Sequence, residues 1–499
     1  EAEDMSSATL STRPRVVVVG GGIAGLSGAL AVLEALPSAQ VTILEGSTDL
    51  GGKLRRDAVG GHLVDVGAES MLAVRPEATD LVARVGAEGE LVTPATTSAS
   101  IWSRGSLRPM PAATLMGVPT DPAAALGVLT ADEVDRLRAE QPWPGGALDD
   151  DVSVGDYVGA RLGQAVVDRL VEPLLGGVYA GHASRLSLQA TMPVLWERAT
   201  RGESLLTPRT GATASDVGGA TVSATARAPQ PPRPPFAGLR GGVGRLPGLV
   251  AQELRSRGAV VRTGAMVRGL ERTAAGWRLT FGSAADPQVI DADAVLLCLP
   301  PSPAARLLAP HAAVAARVLG EIETASSAVV TLAVERRDLA EVPGSGFLVP
   351  PVEGRAIKAS TFSFRKWAWT GEVSDDVVHL RASLGRAREE AVLQRDDADL
   401  VAVSVAEVGE ALGRPMPRVV DAHVQRWGGG LPQYAVGHVD AVVSVRADVA
   451  RLPGLEVAGA AYDGVGIPAV IASATRAARA ALSHLSTIPS TPHQGEHRA

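Results

Sequence analysis

Apolar positions fall into short continuous runs toward both ends of the chain and into alternating or periodic runs between them. Val16-Val17-Val18-Val19 is continuous and β-branched, which predicts a strand buried on both faces, as in a parallel sheet. Three glycines follow. Leu26 to Leu36 is then rich in Ala and Leu and helix-compatible, and Val41-Thr42-Ile43-Leu44 predicts a second strand. His62 to Glu69 alternates and ends in a glycine turn, Ser153 to Val171 is helix-compatible, and Leu170 to Gly181 is apolar and punctuated by glycine. Strand-like runs recur at Val260–Thr263, Trp277–Thr280, Val289–Leu299, Ala328–Val334, Ala356–Phe364 and Val377–Leu384. Two helix-compatible runs, Arg386–Asp399 and Asp399–Leu412, follow them. Near the end, Leu455–Ala460 precedes a glycine turn, and Ala469–Leu485 is the clearest amphipathic helix. Its apolar face holds Val470, Ile471, Ala474, Ala478, Ala481 and Leu482.

Three polar segments carry no such pattern. Glu1 to Arg13 reads as disordered, with Met5 as the native start and Glu1–Asp4 as an added remnant. Thr207 to Pro235, rich in Thr, Ala, Gly and Pro, reads as a flexible linker or insertion, and the tail from Thr487 to Ala499 as disordered. The chain has no apolar run of about 18 residues and no signal peptide before the valine strand, so a cytoplasmic protein is expected. At 499 residues it requires more than one core. A net charge of −7 argues against a general nucleic-acid binder, which needs a basic surface for phosphates. The single cysteine, Cys298, lies in the apolar run Ala294–Leu299. It reads as a small core residue and fits a reducing compartment.

The glycines after the first strand have G-x-G-x-x-G spacing. Gly20 permits a tight turn, Gly22 lets backbone approach a pyrophosphate, and Gly25 lets the next helix pack on the strand. The helix N-terminus then offers N–H groups and a positive dipole end to phosphate. Glu45 lies 20 residues beyond Gly25, where a carboxylate accepts hydrogen bonds from ribose hydroxyls. Gly51-Gly52-Lys53 adds a second close backbone approach and a cation for the pyrophosphate. Gly464-Val465-Gly466-Ile467-Pro468 starts the last helix, whose positive end suits a developing negative charge on a flavin ring. His62, His182, His379, His423 and His438 are scattered without metal-ligand spacing, so no metal is expected and the catalytic residues stay unknown.

From Arg15 to Leu485 the sequence resembles the protoporphyrinogen/coproporphyrinogen oxidases, within the flavin amine oxidase superfamily. The resemblance rests on Gly20–Leu26, Gly51–Lys53, Val66–Ser70, Leu107–Pro111 running to Gly117–Pro119, and Glu172–Gly181. Further matches are Leu239–Gly242, Arg426-Trp427, Leu431–Tyr434 and Tyr462–Pro468. Lys53 after the paired glycines looks like the bacterial branch. Ala68 stands where many relatives carry Pro, and Thr207–Pro235 looks like an extra insertion.

The resemblance implies an α/β chain: a Rossmann-type FAD-binding domain with a mixed-sheet substrate domain and a helical insertion. It divides the chain into FAD-binding pieces at 14–92, 236–300 and 421–486, a membrane- or substrate-associated helical insertion at 93–235, and a substrate domain at 301–420. The implied activity is FAD-dependent oxidation of coproporphyrinogen III in haem biosynthesis. Protoporphyrinogen IX oxidation, another flavin amine oxidase or desaturase activity, and a non-catalytic flavin-binding scaffold are the alternatives. Non-covalent FAD is expected against Gly20, Gly22, Ile23, Ala24, Gly25, Glu45, Gly46, Gly52, Lys53, Gly67, Ala68, Glu69, Val267, Trp427, Val465, Gly466 and Ile467. Substrate propionates call for cations. Arg75 is the first candidate, with Lys358, Arg365, Lys366 and Arg381 behind it, and Gly176 and Gly177 let backbone approach the macrocycle or end a helix. Implied partners are a porphyrinogen, dioxygen, the membrane surface and haem-pathway enzymes.

Overall fold

The computed structural model describes residues 13–112, 114–206, 235–339 and 341–487. The expectations for Glu1–Arg13, Thr207–Pro235 and Thr487–Ala499 fall outside these residues, except at Arg13, Pro235 and Thr487 themselves.

The valine run is the centre of a five-stranded parallel sheet. In spatial order the strands are Val260–Arg262, Gln40–Leu44, Arg15–Val19, Ala294–Leu297 and Leu455–Val457, so three distant stretches of chain build one sheet. The run is continuous because both faces are buried. Val16 and Val18 share a core with Leu30, Ile43, Ile471 and Ala474; Val17 and Val19 share another with Leu270, Leu279 and Phe281. Helix Ile23–Ala35 packs along helix Ile467–Thr487, and glycine makes this approach close: a Cβ on Gly28 would stand 3.5 Å from that of Ala474. On the opposite face lies an antiparallel sheet of Val267–Thr273, Gly276–Gly282 and Pro287–Ala292, so the Val289–Leu299 run is two strands.

A second sheet has seven strands in the order Val419–Pro432, Thr324–Glu335, Val377–Leu384, Ile357–Thr361, Gly346–Leu348, Ser100–Ser103 and Ser106–Pro109. It is mixed, the one parallel pairing joining Gly346–Leu348 to Ser100–Ser103. Helix Asp397–Ala411 covers one face, burying Leu400 and Val408 against Val330, Leu332 and Leu380.

Four expectations are corrected. Ser100–Pro109, assigned to the helical insertion, pairs into the mixed sheet, as does Val419–Pro432, most of which was assigned to the FAD-binding domain. Helices Pro301–Leu308 and Ala313–Glu321, assigned to the substrate domain, bury Leu308 and Leu319 in the core below the parallel sheet. The helix expected over Arg386–Asp399 is only a short 3-10 turn at Glu390–Gln394, because Gly385 (φ +87°) and Arg388 (φ +69°) adopt left-handed backbone at its start.

The stretch from Ser153 to Val171 is not one helix. Gly163 (φ +99°) ends Val154–Leu162, and a short turn and a π-helical turn, Val167–Val171, lead into helix Glu172–Tyr179. That helix ends at Ala180 in the left-handed region (φ 51°). Gly176 and Gly177 therefore lie inside it and do not terminate it. No helix among the described residues is long and apolar enough to cross a membrane.

Candidate functional site

The predicted cofactor residues gather at the carboxyl edge of the parallel sheet, where open α/β sheets present ligands to loops. Gly20 has φ +109°, and a Cβ there would meet the Cys298 carbonyl oxygen at 2.4 Å. A Cβ on Gly25 would fall 1.8 Å from the Gly20 carbonyl oxygen, so this glycine sets how closely the helix crosses the turn. Gly22 differs. Its φ of −74° suits any residue, and its Cβ would meet no atom within 4 Å. It caps helix Ile23–Ala35 with no side-chain hydrogen bond, so the first-turn N–H groups face outward uncapped by protein side chains.

Adjacent loops close on this turn. Glu45, at the end of strand Gln40–Leu44, accepts from the Gly21 N–H at 2.6 Å through one oxygen; the other accepts from the Ser47 N–H and hydroxyl at 2.7 and 2.8 Å. Gly46 lies under Met266, whose Cε would stand 2.7 Å from an added Cβ, and Val267 begins the next strand. The Gly51 N–H donates to the Gly21 carbonyl at 2.9 Å, and a Cβ on Gly52 would lie 3.6 Å from Gly22 Cα. Lys53 follows, exposed by area yet walled by enough protein that desolvation lowers its pKa. Its carbonyl accepts from the Ala68 N–H at 3.1 Å and would lie 2.1 Å from a Cβ on Gly67. Its Cε would stand 3.7 Å from a Cβ on Gly430, three residues beyond Trp427. A cavity of about 530 Å3 opens beside Trp427, lined by Ser326, Ser327, Arg426 and Gly428. Gly464 (φ +132°), Val465 and Gly466 lead into the last helix, and a Cβ on Gly466 would stand 3.9 Å from the Leu72 side chain.

The acidic and basic candidates sort differently. Glu69 is largely shielded, and its oxygens accept from Lys366 Nζ at 2.8 Å, Arg381 at 3.0 Å and Ser363 Oγ at 3.0 Å. Burial alone would raise its pKa, but the two cations outweigh it and hold the carboxyl at about 2. Glu69 thus braces the mixed sheet against residues 67–70, and Lys366 and Arg381 share its single negative charge. Arg75 pairs with Glu77 at 2.5 Å, ahead of helix Pro76–Arg84. Arg365 is exposed, whereas Lys358 is buried. Gly176 is buried and Gly177 exposed, with the Leu348 side chain 3.7 Å from a Cβ on Gly177.

Two features escaped sequence reading. Asp65 accepts from the Val243 and Gly244 N–H groups at 2.9 and 2.8 Å, clamping the Leu239–Gly242 motif to the His62–Asp65 strand. Burial outweighs these bonds and raises its pKa to about 6. Gln433 joins two separate motifs: its Nε2 donates to the Tyr179 carbonyl at 2.7 Å, and its Oε1 would lie 2.2 Å from a Cβ on Gly181. Both contacts cross far more sequence than any local pattern spans. Cys298 is half-buried against the core, and desolvation pushes its thiol pKa up to about 12.

Comparison with known proteins agrees with this geometry. Residues 23–482 match the family described as flavin containing amine oxidoreductase. The chain is 37% identical over 484 residues to the coproporphyrinogen III oxidase of Mycobacterium tuberculosis, covering 94% of this chain and 97% of that one. It is 28% identical to the Bacillus subtilis protein of the same name, covering 95% and 99%. A solved structure from Exiguobacterium sp. 255-15 superposes with a TM-score of 0.80 at 30% identity, covering 96% of this chain and 100% of the other. The chain belongs to the flavin containing amine oxidoreductase family.

Proposed function

We propose that this chain binds FAD non-covalently and oxidises coproporphyrinogen III to coproporphyrin III, with dioxygen as electron acceptor. The macrocycle loses six electrons and six hydrogens, and three dioxygen molecules become three hydrogen peroxide. The observation that carries the flavin half is the convergence of Gly22, Gly52 and Lys53 on one cradle at the edge of a sheet built from three chain segments. The substrate half is supported by the names of the relatives that match nearly the whole chain.

The residues present fit the cofactor. Gly22 keeps clear a space that a side chain would occupy, and the uncapped start of helix Ile23–Ala35 supplies donors and a positive dipole end for the pyrophosphate. Lys53 supplies the countercharge, and Glu45 stands at the adenosine end. The N-terminus of helix Ile467–Thr487 would favour negative charge on the pyrimidine edge of the isoalloxazine. FAD, when bound, supplies the two-electron redox chemistry. The chain's part is to hold the macrocycle against it, with Trp427 flanking the flavin and the Gly176–Gly177 surface facing Leu348.

Oxidation of coproporphyrinogen III in air, followed by porphyrin fluorescence, tests this reading. Turnover above the autoxidation rate supports it. Preference for protoporphyrinogen IX would move the assignment to that substrate, and bound flavin with neither porphyrinogen oxidised would leave a scaffold.

A further inference from the structure

Two cations on the mixed sheet are buried without an ion-pair partner. Lys358 and Arg386 are each 5% exposed. Lys358 Nζ donates to the Gly385 carbonyl at 2.9 Å, and Arg386 Nη2 to the Val349 carbonyl at 2.9 Å. Among the described residues, neither has a carboxylate oxygen within 4.0 Å. Arg386 Nε is buried with no hydrogen-bond partner. Lys358 Nζ thus has one carbonyl partner and Arg386 Nε has none, which leaves buried donor capacity for an incoming anion.

The backbone places both groups deliberately. The ladder slips by one residue between Ile357 and Ala359, a bulge that turns Lys358 inward out of the strand's alternation. Opposite, helix Glu172–Tyr179 presents no side chain: a Cβ on Gly176 would stand 3.7 Å from Arg386 Nε. Arg386 also lines a cavity of about 230 Å3 with Arg355, Ala356, Gly385 and Glu389. Arg355 is taken by Glu410. The charged groups facing Arg386 are Glu389 and Glu172. Glu172 accepts from the Ala183 N–H at 2.8 Å through one oxygen, while its other oxygen is buried without a hydrogen bond, 3.8 Å from His182 Nδ1.

We propose that Lys358 and Arg386 form a carboxylate subsite that receives one propionate of the porphyrinogen at the Gly176 face of the mixed sheet. The inference rests on the substrate class proposed above. The Lys358 strand lies three ladder steps from the Trp427 strand, about 14 Å at ~4.8 Å per strand. That span suits the periphery of a tetrapyrrole whose reacting edge lies at the flavin. Burial and the Arg386 charge push the Lys358 pKa down to about 7, and an incoming carboxylate would raise it again.

The test uses the full chain loaded with FAD and reads binding by porphyrin fluorescence, so turnover is not required. The ligands are coproporphyrin III and its tetramethyl ester, titrated into the native protein, Lys358→Met and Arg386→Lys. Lys358→Met is expected to weaken coproporphyrin III roughly tenfold or more while moving the ester less than about threefold. Arg386→Lys keeps the buried charge and so the fold, and moves the pair in the same direction by less. Equal weakening of both ligands, or no weakening in either variant, overturns the subsite. If Lys358→Met fails to retain flavin, Arg386→Lys decides by the same criterion. A native protein that binds coproporphyrin III yet oxidises no porphyrinogen defeats the proposed function alone; one that turns over with no differential effect in the variants defeats the subsite alone.

Discussion

Gly22→Ala isolates the cofactor from the fold. The substitution adds one methyl at a position with ordinary backbone angles (φ −74°, ψ 178°) and no atom within 4 Å of the new carbon. Without cofactor, the methyl meets nothing, and by narrowing the unfolded ensemble it stabilises the chain by about 0.4–1 kcal/mol. With a pyrophosphate seated against the turn, the same methyl intrudes on the ligand at an overpacking cost of about 1–3 kcal/mol. That raises the FAD dissociation constant about 5- to 150-fold. Gly25→Ala is the contrast. Its Cβ would fall 1.8 Å from the Gly20 carbonyl oxygen, so the turn itself must move whether or not cofactor is present. The assay is a flavin-fluorescence titration of each deflavinated protein alongside its thermal melt. Gly22→Ala should keep or raise the deflavinated melting temperature and lose affinity; Gly25→Ala should lose both. Unchanged FAD affinity in Gly22→Ala would refute the placement of the pyrophosphate at this turn.

Other outcomes follow from the same contacts. Lys53→Met removes the cation beside the paired glycines and should weaken FAD roughly 10- to 100-fold, a difference that shrinks with added salt in the same titration. Glu69→Gln leaves the partly buried Lys366 and Arg381 without their carboxylate, at a cost of about 2–3 kcal/mol in denaturant unfolding. The Glu69 carboxyl is depressed to about 2 from an ordinary 4.5, so its contribution is complete above pH 4.5 and disappears as pH falls toward 2. Glu69→Gln should flatten that acid limb. Asp65 has the opposite sign: raised from 3.8 to about 6, its contribution is complete below pH 3.8 and lost as pH rises through 6. Asp65→Asn should flatten the decline between pH 4 and 7 in unfolding free energy.

The parallel sheet was legible because its sequence signal is local. Val16–Val19, the glycine spacing after it and Glu45 all lie within one βαβ unit, and a strand buried on both faces has to be continuously apolar. The membership of Val419–Pro432 and Ser100–Pro109 in the mixed sheet was not legible. Strand pairing between segments far apart in sequence leaves no periodicity in either partner, so both stretches were grouped with their neighbours in sequence. Lys53 was readable from its two preceding glycines. The pairing of Lys366 and Arg381 was not, because Glu69 reaches them from 297 and 312 residues away. Lys358 was grouped with Arg365, Lys366 and Arg381 behind Arg75, since the bulge that turns it inward is a property of the pairing rather than of the residues around it.

The central claim is that one cradle and one sheet surface serve flavin-dependent oxidation of a tetracarboxylate porphyrinogen. The most direct test is to purify the chain with its flavin, add coproporphyrinogen III in air, and record porphyrin fluorescence and hydrogen peroxide together. The account predicts catalytic turnover with roughly three peroxides per porphyrin, as a six-electron oxidation by two-electron steps requires. Fluorescence no faster than the protein-free control, with flavin bound, would contradict it.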